Sequence, residues 1–173
     1  DLKKHQEELA CVIIEPIPAN NGLLLQDLSF LRSLRKWCTE LNILLIFDEV
    51  ISGFRVSFGG AAEYYQIEPD IVTYGKIIGG GLPVGAYAAK NEIMSHVSPE
   101  GPVYQAGTLS GNPVAMSAGI AQLSKCAEEG FYENQQHRTL EFISSINSFC
   151  ASKDYPIKIV SIGSIFWFSL TSF

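Results

Sequence analysis

Two short apolar runs, each followed by a reactive side chain, constrain the fold of this chain more than any other feature. Ile43–Phe47 leads into Asp48, and Ile71–Tyr74 leads through Gly75 into Lys76. Short runs rich in β-branched and aromatic residues predict buried strands. The carboxyl ends of strands in an open parallel α/β sheet face one crevice, where ligands bind. We therefore expect the carboxylate of Asp48 and the amine of Lys76 to face the same cleft.

The residues on either side of this stretch predict an α/β fold with a mostly parallel sheet flanked by helices. Cys11–Glu15 predicts another buried strand, and Asp27 is a suitable N-cap for the helix that follows. In that helix, apolar residues recur every three or four positions, at Leu28, Leu31, Leu34, Cys38 and Leu41. Ile43–Phe47 is almost wholly apolar, which indicates a strand covered on both faces. Gly85–Ala89 predicts one more strand.

The second half of the chain predicts mainly helices. Asn112, followed by proline, marks the start of a helix that we expect to end near Gly130. Phe131–Cys150 predicts a second helix, whose expected inward residues are Leu140, Ile143 and Phe149. Two β-like runs, Ile157–Val160 and Ile165–Leu170, follow it with a glycine between them.

Composition and charge exclude several classes of function. The chain has 173 residues and a formal net charge of −6, and without a basic block nucleic acid is not an expected partner. Its apolar runs are far shorter than the roughly 18–20 residues that a membrane span needs. The charged first residues, DLKKHQEEL, predict no signal peptide. The four cysteines have no CxxC spacing, which indicates reduced thiols, a cytoplasmic location and no metal site.

Lys76 and Asp48 suggest a carbonyl-chemistry cofactor. A lysine becomes a nucleophile toward carbonyls when its surroundings favour the neutral amine, although Lys76 is also consistent with a surface lysine at a strand end. A carboxylate in the apolar context LLIFDEV is costly to bury without a charged partner, and a protonated pyridine nitrogen would be such a partner. At 4 Å and an effective dielectric near 20, that pair gains about 4 kcal/mol before desolvation. A structural cap or salt bridge is the alternative for Asp48, and Glu49 is expected to point the other way as a structural residue.

The glycine run at 79–81 fails two phosphate-binding patterns. A Walker loop would need glycine at Asp70 and serine or threonine at Ile77, and a dinucleotide fingerprint would need glycine or alanine at Val84. The better phosphate candidate is Gly107 with Thr108, which offers a hydroxyl and backbone N–H groups shortly before a helix. An ordinary turn is the alternative there. The three histidines lie apart and predict surface positions.

Three longer runs, IFDEVISGFRV, PDIVTYGKIIGGGLPVGAY and GPVYQAGTLSGNPVAMSAGI, resemble the class III, fold-type I, pyridoxal-phosphate aminotransferases. The resemblance covers nearly the whole chain and is strongest from Ile43 to Ile120. YQAGTLSGNP and GFRVSFGGAAEYY are similar, more narrowly, to an aminomutase branch that moves an amino group within an amino aldehyde. The resemblance implies that residues 1–130 are part of a large cofactor-binding domain. It also implies that residues 131–173 are a helix leading into a truncated small C-terminal domain.

The resemblance also implies roles for individual residues, with pyridoxal or pyridoxamine 5'-phosphate as the cofactor. Lys76 would bond covalently to the cofactor and then move protons between it and the substrate carbon. Asp48 would bind the pyridinium nitrogen, Val50 would pack against the ring, and Asn20 would lie near the phenolic oxygen. Ala19 stands where the family often has glycine, which weakens the assignment of Asn20.

A homodimer with shared active sites is also implied by the resemblance. Thr108 with Gly107 would bind the phosphate of the cofactor held by the other subunit, and Tyr104 would approach the same site. The family's main phosphate loop, its ring-stacking aromatic residue and its substrate-carboxylate contacts would lie before Asp1. We therefore expect this chain alone to bind cofactor poorly and to be inactive.

Two alternatives to an aminomutase stay open at this point. One is a class III ω-aminotransferase acting between an amine and a keto acid, and the other is an inactive structural fragment. The expected location is the cytoplasm, or the plastid stroma in a plant.

Overall fold

The computed structural model describes residues 2–170, which form two β-sheets and five α-helices. The strands are β1 (Cys11–Ile14), β2 (Leu44–Glu49), β3 (Ile71–Tyr74), β4 (Ala86–Ala89), β5 (Ile157–Ile162) and β6 (Ile165–Leu170). The helices are α1 (Leu28–Glu40), α2 (Gly60–Tyr65), α3 (Asn91–Met94), α4 (Pro113–Cys126) and α5 (Phe131–Ser152). Single 3₁₀ turns occupy Leu2–Lys4 and Lys76–Gly79. Within the described residues, no helix is long and apolar enough to span a membrane.

The larger sheet has the order β1-β2-β3-β4. The first three strands are parallel and β4 is antiparallel to β3, so the predicted mostly parallel α/β architecture is confirmed. The register places β2 and β3 level at their carboxyl ends, with Asp48 opposite Thr73 and Glu49 opposite Tyr74. The residues that follow these two strands therefore emerge at one edge of the sheet.

The two faces of β2 differ in burial. Leu45, Phe47 and Glu49 are buried on one face, whereas Leu44 is exposed and Asp48 is half-buried on the other. The prediction of a strand covered on both faces is therefore wrong for the described part of the chain. The reason is that α1 and α2 both pack on the face of Leu45 and Phe47.

Helix α1 begins and packs as its sequence predicts. The Asp27 carboxylate accepts a hydrogen bond from the backbone N–H of Ser29 over 2.6 Å. Hydrogen bonding by the side chain of Ser29, and then by its backbone N–H, lowers the pKa of Asp27. Leu31, Leu34 and Cys38 are buried against β2. The apolar residues that recur every three or four positions thus form the face of the helix that contacts the sheet.

Helices α4 and α5 follow the sequence less closely. Asn112 caps α4 by accepting from the N–H groups of Val114 and Ala115, with proline at the first position. The helix ends at Cys126 instead of near Gly130, whose left-handed φ of +74° marks the start of α5. Of the three residues expected to point inward on α5, Ile143 is buried, but the side chains of Leu140 and Phe149 are exposed.

Strands β5 and β6 form an antiparallel hairpin with Gly163 and Ser164 as its two-residue turn. Positive φ occurs at Gly163, as a tight hairpin turn of this length requires. Ile162 and Ile165, which flank the turn, are buried in a second apolar cluster with residues of the loop after β1. The division of the chain into two domains at residue 130 stays a prediction.

Candidate active site

The carboxylate of Asp48 is held at the carboxyl end of β2. Its Oδ1 accepts hydrogen bonds from the backbone N–H of Val50 over 3.0 Å and from the Oγ1 hydroxyl of Thr73 over 3.4 Å. Among the described residues, no donor contacts the second oxygen, Oδ2. Asp48 is therefore oriented by its neighbours while one carboxylate oxygen can accept a further hydrogen bond.

Lys76 lies at the same edge of the sheet, three residues after Thr73. The backbone of Lys76 has φ +44°, a conformation that residues with a side chain rarely adopt. Gly75, just before it, lies against Val50, because an added Cβ at Gly75 would lie 3.2 Å from Val50 Cγ1. The structure thus brings Asp48, Val50 and Lys76 to one edge of the sheet, and the three residues from Thr73 to Lys76 span at most about 10 Å.

The side chain of Lys76 is exposed and borders a cavity of about 230 Å³. The other residues that line this cavity are Ile51, Arg55, Ser164, Ile165 and Phe166. The sequence analysis did not identify Arg55 as a site residue. The sequence feature that could have identified Arg55 is its position in a loop rich in glycine and aromatic residues, outside any helical pattern.

Glu49 points away from Asp48, as the alternation of a strand predicts. Its carboxylate is buried and accepts hydrogen bonds from the N–H groups of Ala61 and Ala62 at the start of α2 and from the Ser52 hydroxyl. Burial raises the pKa of Glu49, although these three donors oppose the shift. Glu49 therefore joins α2 to the end of β2 and fixes the strand that carries Asp48.

The predicted phosphate residues lie elsewhere. Gly107 and Thr108 are exposed in the loop before α4, and Tyr104 has 82% of its surface exposed. Gly107 and Thr108 border a separate cavity of about 670 Å³ beside the residues at 83–87. Within one chain, the structure does not place these residues with Lys76.

Asn20 is exposed in the loop after β1, directly after the buried Ala19. It does not line the Lys76 cavity. Its assignment therefore depends on the resemblance alone.

The described residues contain no group of three or more His, Cys, Asp or Glu side chains that could hold a metal ion. All three histidines are exposed. His5 lies within 4 Å of Glu8, and His137 lies within 4 Å of Glu141, one turn along α5. The predicted surface positions of the histidines are confirmed.

Comparison with known proteins relates this chain to one family. The sequence profile of "Aminotransferase class-III" matches residues 1–172. The chain is 47% identical over 169 residues to glutamate-1-semialdehyde 2,1-aminomutase of Legionella pneumophila (strain Lens), covering 98% of this chain and 39% of that protein. It is 49% identical over 164 residues to the protein of the same name from Desulfosudis oleivorans, covering 95% and 38%. The chain thus spans about two fifths of the length of these relatives.

Solved structures show the same fold. An omega-transaminase from Sphaerobacter thermophilus superposes with a TM-score of 0.91 at 34% identity, covering 99% of this chain and 40% of that one. A glutamate-1-semialdehyde-aminomutase from Pseudomonas aeruginosa superposes with a TM-score of 0.79 at 22% identity, covering 99% and 41%, and this likeness concerns the fold alone.

Proposed function

We propose, since the chain belongs to the class-III aminotransferase family, that it forms the lysine-bearing side of a pyridoxal-phosphate site in a glutamate-1-semialdehyde 2,1-aminomutase. The whole protein would convert glutamate 1-semialdehyde to 5-aminolevulinate, the precursor of tetrapyrroles, by moving an amino group between neighbouring carbons. The observation that carries the proposal is the pairing of Asp48 with Thr73, three residues before Lys76. The relatives named above favour the aminomutase among the activities of the family.

The residues at the sheet edge fit the ring end of this cofactor. Oδ2 of Asp48 can accept a hydrogen bond from a ring N–H, while its Oδ1 bonds to Val50 and Thr73 prevent the carboxylate from rotating away. When bound, pyridoxal phosphate supplies an electron-withdrawing ring that stabilises charge on a substrate carbon. A negatively charged Asp48 would favour a protonated ring nitrogen, since a unit-charge pair about 4 Å apart gains about 4 kcal/mol at an effective dielectric near 20.

Lys76 is the residue that would hold the cofactor and move the proton. Its amine follows Gly75, whose contact with Val50 leaves no room for a Cβ without a shift of the valine side chain. The left-handed backbone of Lys76 is costly for a residue with a side chain and persists because the surrounding structure imposes it. Such strain at the residue that follows β3 supports a role for Lys76 in the chemistry.

A second copy of the chain would complete the site. Gly107 and Thr108 border a cavity other than that of Lys76, and they precede α4, whose N-terminus favours an anion. We infer that they bind the phosphate of the cofactor in the other subunit and that Tyr104 approaches it there. The free thiols of Cys38, Cys126 and Cys150, all buried, support a reducing compartment such as the cytoplasm.

An ω-transaminase is the second candidate, favoured by the superposition on the Sphaerobacter thermophilus enzyme at 34% identity. The discriminating experiment supplies the whole protein with glutamate 1-semialdehyde and no keto acid. An aminomutase turns over this single substrate, whereas an ω-transaminase needs a separate acceptor. A requirement for added keto acid would reject the aminomutase in favour of the second candidate.

Cofactor binding is tested by adding pyridoxal phosphate to the whole protein and recording the absorption band of the lysine-bound cofactor. We expect the band in the wild type and its loss in Lys76→Ala. Lys125→Ala, which removes an exposed lysine of α4, serves as the control and should keep the band. A wild-type protein that never shows the band would reject the proposed cofactor.

A further inference from the structure

The turn between β5 and β6, together with the first residues of β6, forms one side of the Lys76 cavity, and Arg55 is hydrogen-bonded to this turn. Ser164, Ile165 and Phe166 all line the cavity. Nη2 of Arg55 donates a hydrogen bond to the backbone carbonyl of Ser164 over 3.0 Å. These two residues are 109 positions apart, so the bond joins the segment after β2 to the C-terminal hairpin.

Neighbouring contacts hold the same segment in place. The Tyr132 hydroxyl of α5 donates to the backbone carbonyl of Phe54 over 3.1 Å. Gly163, in the turn, has φ +54° and lies so close to the segment that an added Cβ would be 3.4 Å from Val56 Cα. Phe54 and Arg55 are thus hydrogen-bonded to parts of the chain more than seventy positions away. Val56 is buried in one apolar cluster with Ile162 and Ile165, which are also more than seventy positions away.

The charge distribution favours a structural bond between Arg55 and the turn. Arg55 is half-buried, and the residues that line its cavity include no carboxylate. The buried part of a guanidinium needs acceptors, and the Ser164 carbonyl supplies one in a charge-assisted bond. The other N–H groups of the planar guanidinium can donate hydrogen bonds to further acceptors.

We propose that Arg55 is a positioning residue that holds the β5–β6 turn as a wall of the Lys76 cavity. The wall covers one side of the exposed Lys76 side chain and limits the size of the group that can lie beside its amine. The proposal rests on the proposed function only for the identity of that group, because the wall itself is a property of the protein without cofactor.

The first experiment measures how fast an amine-reactive acetylating ester modifies Lys76 in the cofactor-free whole protein, with exposed Lys153 as the internal reference. Peptide mass spectrometry gives the ratio of the Lys76 rate to the Lys153 rate. We expect Arg55→Gln to raise the ratio severalfold and Arg55→Lys to raise it less, since an ammonium can still donate one hydrogen bond to Ser164. Arg138→Gln, which alters an exposed arginine of α5, should leave the ratio unchanged.

A folded Arg55→Gln protein in which Lys76 reacts at the wild-type rate would overturn the proposal. If Arg55→Gln does not fold, Gly163→Ala tests the same wall by changing the turn itself. That change keeps Arg55 but strains the turn at φ +54°, so Lys76 should again react faster. An unchanged rate in folded Gly163→Ala would likewise overturn the proposal.

The second experiment compares the kinetics of Arg55→Gln and wild type with glutamate 1-semialdehyde. Loss of the wall widens the cavity and removes its contacts with the substrate, so KM should rise about tenfold with a smaller change in kcat. A fall in kcat with unchanged KM would count against a wall that governs access. A wild-type protein that binds no cofactor, with Lys76 still more reactive in Arg55→Gln, would reject the proposed function and support the wall.

Discussion

Asp48 and Glu49 are adjacent in β2, but their carboxylates lie on opposite faces of the sheet and in different surroundings. Asp48 is half-buried and has one oxygen without a donor among the described residues, whereas Glu49 is buried and accepts three hydrogen bonds. One carboxylate can therefore receive a ligand, and the other fixes the strand that presents it. The two should respond differently to the same chemical change.

Asp48→Asn removes the negative charge while keeping the shape of the side chain. Its amide oxygen can still accept from Val50 and Thr73, but the amide nitrogen replaces the oxygen that we assign to the ring. We expect the whole protein to keep the absorption band of the lysine-bound cofactor. Turnover should fall about a hundredfold or more, because an attraction on the order of 4 kcal/mol is lost.

Asp27→Asn is the matched control for this substitution, since asparagine caps a helix as well as aspartate does and the residue lies outside the site. Activity of this control should equal that of the wild type. Full activity in Asp48→Asn would remove the proposed role of the carboxylate in the chemistry.

Glu49→Gln should lower the free energy of unfolding by about 2 kcal/mol or more. Glutamine offers one acceptor oxygen where Glu49 offers two, so its amide N–H₂ group would face one of the N–H groups of Ala61 and Ala62. Denaturant titration measures the difference. Exposed Glu129→Gln is the control and should change the free energy by less than about 0.5 kcal/mol. A cost no greater than that of the control would show that the three hydrogen bonds do not stabilise the fold.

The same pair of proteins tests the pH dependence that Glu49 confers. Burial raises the pKa of Glu49 above its ordinary value, so the folded protein binds more protons than the unfolded chain between the two values. The contribution of this group to stability is therefore complete below the ordinary value near 4.5 and falls as the pH rises through the raised one. The slope is at most about 1.4 kcal/mol per pH unit for one proton.

We expect the difference in stability between wild type and Glu49→Gln to increase as the pH is lowered toward 4.5. Thermal unfolding of both proteins across a pH series measures this difference, in which the effects of the other titratable groups cancel. A difference that shrinks at lower pH would mean that the folded protein favours the ionised carboxylate. In that case the hydrogen bonds outweigh the burial.

The sequence predicted those features that depend on neighbours along the chain. The caps at Asp27 and Asn112, the buried stripe of α1 and the mostly parallel sheet all follow from local patterns, and the structure confirms them. Run lengths also predict Lys76 just after β3, whereas Asp48, predicted just after its strand, lies within β2, which continues to Glu49. Their roles with a cofactor stay predictions.

Features that depend on distant residues were not predictable. Arg55 and Ser164 are 109 positions apart, and no periodicity links a loop arginine to a hairpin turn. The exposure of Leu140 and Phe149 has a similar cause, since an apolar pattern does not say how much of a helix its neighbours cover. The left-handed backbone of Lys76 was also missed, because sequence rules assign that conformation to glycine.

Gly60→Ala separates backbone strain from a collision with Glu49. Gly60 and Gly111 share φ +69°, so alanine at either position should cost about 1 kcal/mol in backbone strain. A Cβ at Gly60 would also collide with the Glu49 carboxylate, whereas a Cβ at Gly111 would meet no atom within 4 Å in the described structure.

Denaturant unfolding should therefore show a larger loss of unfolding free energy for Gly60→Ala than for Gly111→Ala. The difference should be about 2 kcal/mol, because the three hydrogen bonds of Glu49 must rearrange. Equal losses at the two positions would mean that the carboxylate moves aside freely, and Glu49 would then not hold α2 against the end of β2.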